Sequence, residues 1–196
     1  MSAVPTTAAT AAPRKRSRRP RARPAIALLL VALLAAGGAY AAVTLTRDSP
    51  SVLPTAGKPA LLTAATLEAV TAATGHDVYG VAVPAGTRPE ITRGGDGEVW
   101  VRYLTRGAKL GDFRADYLTI GTYPRADALA AAKAAADGDQ QRSTELPDGG
   151  VMLWSVERPE SVYAASPGRD LLVEVYSPDP KAARDLITGG AVAPLR

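Results

Sequence analysis

His76 stands next to Asp77, and it is the only histidine in a chain of 196 residues that has no cysteine. A histidine beside a carboxylate is a possible proton-transfer pair near neutral pH. Adjacent residues on an extended chain point to opposite sides, so adjacency alone does not give the two groups a shared geometry. A packing or surface role is the simpler expectation. Ser155 and Ser161 are the serines nearest to strand-like sequence, yet neither lies in a G-x-S-x-G or S-x-x-K pattern, and any triad would need His76 as its base. Asp137-Gly138-Asp139 with Asp148 has some of the acid spacing of a calcium loop. Gln141, Arg142 and Asp148 occupy positions where that loop needs Asp or Asn, Gly and Glu, so a turn at a helix end is expected instead. Gly94-Gly95-Asp96-Gly97 lacks the lysine of a phosphate loop and precedes a strand rather than a helix. Thiolate and multi-histidine metal sites are excluded by composition. The expectation is therefore no catalytic, cofactor-binding or metal-ligating residue.

The aromatic residues are the remaining candidates. Trp100, Trp154, Tyr103, Tyr123, Tyr163 and Tyr176 all fall in strand-like stretches, in a chain with one phenylalanine. Trp and Tyr suit positions that are apolar at one end and wet at the other. Core packing accounts for most of them. Trp100 and Trp154 are the candidates for contact with a partner. Trp100 is the sharper case, because its phase along the strand opposes Val99, Val101 and Tyr103.

Charge divides the chain in two. The formal net charge is +4, which taken whole suggests a polyanion binder. All basic residues of the first twenty-four lie in one cluster, Arg14, Lys15, Arg16, Arg18, Arg19, Arg21 and Arg23, with no acid among them. From Leu45 onward sixteen Lys and Arg face nineteen Asp and Glu, a net charge of −3. The basicity belongs to a short arm, and nucleic-acid binding by the rest loses its support.

Residues 1–24 are rich in Ala, Pro, Thr and Arg, and read as a disordered cytoplasmic arm. Residues 25–45, AIALLLVALLAAGGAYAAVTL, carry no charge. At 1.5 Å rise per residue such a helix is just long enough for a ~30 Å hydrocarbon core. The cluster before it places the N-terminus in the cytoplasm and the remainder outside, and it would also attract anionic lipid headgroups. The alternative is a cleaved export signal, since Ala39-Tyr40-Ala41 fits a small-x-small cleavage site. Both readings put the C-terminal part outside the cytoplasm.

Residues 46–59 contain three prolines and read as a spacer. Residues 60–190 read as an extracytoplasmic α+β domain. Helices are expected over 59–74, 125–137 and 180–188, the last capped by Asp179 with Pro180 at its first position. Strands are expected over 77–83, 90–93, 98–105, 116–123, 151–157, 161–166 and 171–177, the second of them short. Asp139 to Gly150 reads as a polar loop. Pro167-Gly168-Arg169-Asp170 reads as a hairpin turn. Setting the short stretch 90–93 aside, the expected architecture is an antiparallel sheet of five or six strands packed by about three helices on one face.

The layout of basic arm, single anchor, Pro-rich spacer and α+β outer domain is similar to that of many small bacterial envelope proteins. Residues 77–86, DVYGVAVPAG, resemble the strand followed by P-x-G that opens some extracytoplasmic domains. That resemblance implies location and not residue roles. The function expected is a non-enzymatic binding or interaction domain held on the membrane, with an envelope protein or glycan as partner. The alternative is a lipid or glycan carrier, anchored or secreted.

Overall fold

The computed structural model describes residues 53–196. The basic arm, the apolar segment at 25–45 and the first part of the spacer lie outside the described residues. Among the described residues, no helix is long and apolar enough to cross a membrane.

The first described residues lie against the domain rather than apart from it. Leu53 packs on the core, and the Pro54 carbonyl accepts a bond from Arg93 Nε at 2.7 Å. A two-residue strand, β1 (Ala60–Leu61), follows. Helix α1 (Ala64–Thr74) begins after Thr63, whose side chain accepts from the Thr66 amide. It ends at Gly75 in the left-handed region that glycine adopts freely. Then come β2 (Tyr79–Gly80), β3 (Thr87–Arg93), β4 (Val99–Thr105) and β5 (Thr119–Pro124). Helix α2 (Ala128–Ala136) leads to β6 (Gln141–Glu145), β7 (Val151–Ser155), β8 (Ser161–Ala165) and β9 (Leu171–Tyr176). Helix α3 (Pro180–Thr188) and β10 (Ala193–Pro194) close the chain.

Eight strands form one antiparallel sheet in the order β1-β3-β4-β5-β9-β8-β7-β6, and β10 pairs with β2 alone. Two meanders, β3-β4-β5 and β6-β7-β8-β9, meet at the β5–β9 pair in the middle. The register brings Trp100, Gly121, Glu174 and Tyr163 into one cross-strand row.

The two faces differ in chemistry. On the first, Val99, Val101, Ile120, Val162 and Val175 are fully buried under α1 and α3, through Leu67, Val70 and Ala183. On the second, α2 lays Ala128 and Ala132 over Val151, Leu153 and Ala165. Alanines let the helix approach closely, and the small side chains bury little area. The second face beyond α2 carries Trp100, Arg102, Glu90 and Tyr123.

The domain is α+β with three helices and an antiparallel sheet among the described residues, as the sequence implies, but the sheet is larger than the five or six strands expected, and its helices cover both faces. The added strand β6, QRSTE, lies within the expected loop 139–150. It is an edge strand paired only with β7, and four of its five residues are exposed. No apolar alternation marks such a strand, and its exposed Arg142 and Glu145 help guard a free edge. The expected strand at 77–83 shrinks to two residues because its backbone finds side chains instead. Tyr79 N donates to Thr122 Oγ1 at 3.0 Å, and the Val81 amide and carbonyl both pair with the Tyr103 hydroxyl.

Candidate functional site

Two arrangements stand out, one on each face. The first is a pocket of about 310 Å³ at one end of the apolar face. Ala164, Leu171 and Val173 make its floor, and Ile187 and Val192 bound the side formed by the end of α3 and the segment after it. Two turns supply the rim: Leu146 to Asp148 between β6 and β7, and Ser166 with Arg169 between β8 and β9. Tyr79 and Thr188 add hydroxyl groups.

The rim is charge-balanced. The Arg169 guanidinium lies 5.9 Å from the centre of the Tyr79 ring and 3.4 Å from the Asp77 carboxylate. Asp77 also meets Arg196 at 3.2 Å. Asp148 accepts the Gly150 amide at 2.8 Å. Hydrogen bonding from Ser166, then from the Gly150 amide, holds its carboxyl below the usual carboxylate range. An apolar floor under a ring of hydroxyl and balanced ionic groups can hold a small amphiphile.

The second arrangement is the polar row. Glu174 is 6% exposed, and among the described residues it faces no cation within ion-pair distance. Tyr123 donates to its Oε2 at 2.5 Å and Tyr163 to its Oε1 at 3.0 Å. Trp100 Nε1 donates to the Tyr123 hydroxyl at 2.9 Å, and the two rings meet edge to face at 6.0 Å. Gly121 makes this possible. A methyl group there would lie 2.7 Å from the Tyr123 ring and hydroxyl, which cross directly over it. Burial, then the Glu174 carboxylate, raises the Tyr123 phenol well above its ordinary range, and the same two causes raise Tyr163. Phenols held neutral are the donors that a buried carboxylate needs.

Trp100 and Trp154 are not brought together. Trp100 belongs to the polar row, whereas Trp154 lies on the opposite face beside α3, with the Arg184 guanidinium 5.3 Å from its ring. They cannot form one binding platform. His76 is committed to the backbone, its ring nitrogens lying 2.8 Å from the Asp77 and Gly97 carbonyl oxygens. Ser155 Oγ accepts the Glu157 amide, and Ser161 is buried at the start of β8. Gly94 to Gly97 turns the β3–β4 hairpin, with Gly97 at φ 89°. Asp137 ends α2, and among the described residues no group of three acidic, histidine or cysteine side chains is placed to hold a metal ion.

Sequence reasoning missed Glu174 and the pocket. The signal for Glu174 was present, as one acid inside the apolar run LLVEVY. The pocket has no local signature, because its walls come from five separate segments. No protein-family model, curated protein or solved structure matches the chain.

Proposed function

We propose that this chain is a single-pass, membrane-anchored domain outside the cytoplasm, that it acts by binding rather than by catalysis, and that the pocket beside α3 is its binding site. The observation that carries the binding role is the pocket's make-up, an apolar floor with a polar, charge-balanced rim. Its ~310 Å³ lies at the small end of the range for small-molecule sites, about 300–1,000 Å³. The ligand class it fits is a small amphiphile with an uncharged or zwitterionic head. The anchor rests on the uncharged stretch 25–45 and the cations before it. The cations would hold the anchor's inner end at anionic lipid, and no nucleic-acid partner is implied.

The test is native mass spectrometry of the full chain extracted in mild detergent. A co-purifying amphiphile is expected, and it should be lost in Ala164→Phe, which fills the floor. A ligand retained unchanged in that variant would move binding away from the pocket. Intact mass separates the anchored chain from the secreted alternative, in which the residues up to Ala41 would be missing.

A further inference from the structure

Phe113 is the only phenylalanine in the chain, and it is 72% exposed. It lies in the long connection between β4 and β5, which has no helix or strand of its own. The backbone on both sides of it is nevertheless pinned. Before it, Glu90, 1% exposed, accepts the Gly111 amide at 2.8 Å, and Arg102 donates to the Asp112 carbonyl. Glu90 and Arg102 also pair with each other at 3.3 Å. After it, the Tyr176 hydroxyl donates to the Ala115 carbonyl at 2.7 Å. Tyr117 is buried and donates to the Asp112 carboxylate at 2.8 Å. A buried ion pair thus holds a loop whose Phe113 is the most exposed large apolar side chain among the described residues. Such pinning removes the ordering cost that a mobile loop would meet on binding.

The surroundings of Phe113 give the chemistry of what it meets. Arg88, Arg106 and Lys109 are exposed, and among the described residues none of them forms an ion pair. Arg114 beside Phe113 pairs with Asp112 at 2.8 Å and Asp116 at 3.6 Å, so four cations face two acids here, a local positive excess in a domain that is acidic as a whole. Arg88 and Arg106 line a depression of about 420 Å³ with Thr87 and Thr105, and no acid lines it. Arg88 also donates to the Ala108 carbonyl at 3.0 Å. Arg88 and Glu90 are two residues apart on β3, about 7 Å, so the depression lies close to the pinned Phe113 segment.

We infer that this surface docks on the anionic lipid headgroups of the membrane that anchors the chain, with Phe113 entering the headgroup–acyl boundary. An aromatic tip beside a cation-lined depression is the pattern of an interfacial contact. The reach allows it. Seven residues, 46–52, separate the apolar segment from Leu53, and at full extension they span about 25 Å. Leu53 and Pro54 sit at the Arg93 end of β3, and Arg88 at the other end is about 17 Å away along the strand. The domain can therefore lay this end on the bilayer.

This inference rests on the anchored reading, and the test separates the two. The chain has no cysteine, so Ala115→Cys offers a single thiol for an environment-sensitive fluorophore beside the tip, and Ala126→Cys, exposed past the opposite end of β5, offers a control at the other end of the sheet. The full chain is reconstituted into vesicles of phosphatidylcholine alone or with phosphatidylglycerol. The label at 115 is expected to shift to the blue with phosphatidylglycerol and not without it, and the label at 126 to stay unshifted in both. The shift should be lost in Phe113→Ser and in Arg106→Ser/Lys109→Ser, which leave Glu90 and Arg102 in place. A chain that floats with the vesicles while position 115 stays aqueous overturns the docking alone. A shift of equal size in both lipids, or one that grows with protein density, also overturns it, the latter by assigning the tip to a second copy. A full-length chain that does not float overturns the anchor and the docking together.

Discussion

The two faces of the sheet solve different problems. The first is a conventional apolar core in which Val99, Val101, Ile120 and Val175 lie wholly buried under two helices. The second carries buried carboxylates at Glu90 and Glu174, answered by an arginine in one case and by two phenols in the other. Apolar packing is non-directional, and a register slip within it can still leave contacts. A carboxylate with fixed donors across three strands tolerates no slip. The comparison teaches that stability is concentrated on one face, whereas the other face sets alignment and holds the β4–β5 loop.

The largest expected effect is on the apolar face. Ile120→Ala opens a cavity in a central strand, and a cost in the upper part of about 2–5 kcal/mol is expected from urea unfolding. The loop around Phe113 should keep its proteolytic resistance in that variant under native conditions. A loop cleaved more readily there than in the parent would show that the two faces are not separable.

Arg102→Ala comes next. It leaves Glu90 buried without its cation, and breaking such a pair costs about 3–5 kcal/mol. Because the Arg102 side chain is 16% exposed, the lower end is expected. Burial already raises the Glu90 carboxyl, with the Gly111 amide and Arg102 opposing that rise. With Arg102 gone, Glu90 should hold its proton more tightly when folded. The variant should then recover stability as pH falls toward the ordinary carboxylate range, where the folded state binds the extra proton. Glu90→Leu/Arg102→Met should recover much of the loss at neutral pH while freeing the loop to proteolysis. Recovery of both would break the assignment of Glu90 and Arg102 as the loop's fastening.

What the sequence made legible follows the same division. Strand β4 could be read from EVWVRYLT because β-branched and aromatic residues alternate through it, and the phase of Trp100 against Val99 and Val101 was correct. Helix α3 could be read from Asp179-Pro180, which caps it in the structure. Strand β6 could not, since an edge strand of QRSTE needs only backbone pairing from β7 and leaves no apolar pattern. The start of α1 moved from Pro59 to Ala64 because Thr63 supplies a cap and the residues before it pair with β3. Glu174 could have been singled out as a lone acid in a central strand. Its donors could not, because Tyr123 and Tyr163 reach it only through the β5–β9–β8 register. Phe113 was also visible as a lone aromatic in GDFRAD, yet its exposure depends on contacts from Glu90, Arg102 and Tyr176, all distant in sequence.

A smaller effect tests the polar row. Tyr123→Phe removes one donor to Glu174 and the acceptor of the Trp100 indole. A loss of about 1.5–3 kcal/mol is expected for a hydrogen bond to a charged group. Both phenols are raised in the folded state, so each holds its proton past about pH 10, where an unfolded tyrosine releases it. Their contribution is complete below that pH and is lost as pH rises through the folded values. Absorbance titration should show fewer ionising tyrosines in Tyr123→Phe only after the alkaline unfolding step. If instead a phenol lost by this substitution titrated near pH 10 in the folded parent, Glu174 would have a different set of donors.

The smallest effect belongs to the pocket rim. Asp148 is exposed, and its carboxyl is lowered by Ser166 and the Gly150 amide. A depressed carboxyl adds stability above the ordinary carboxylate range and loses it as pH falls through the folded value. The stability gap between the parent and Asp148→Asn should therefore be present at neutral pH and close in acid. Solvent screening keeps the gap small, within the ~0–1 kcal/mol of exposed ionic contacts. The useful comparison is with binding. If the rim serves a ligand, Asp148→Asn should change retention of the co-purified amphiphile by more than so small a stability change can explain. Equal retention at neutral pH would leave Asp148 as a turn residue, and would shift head-group recognition to Arg169 and Tyr79 on the other side of the rim.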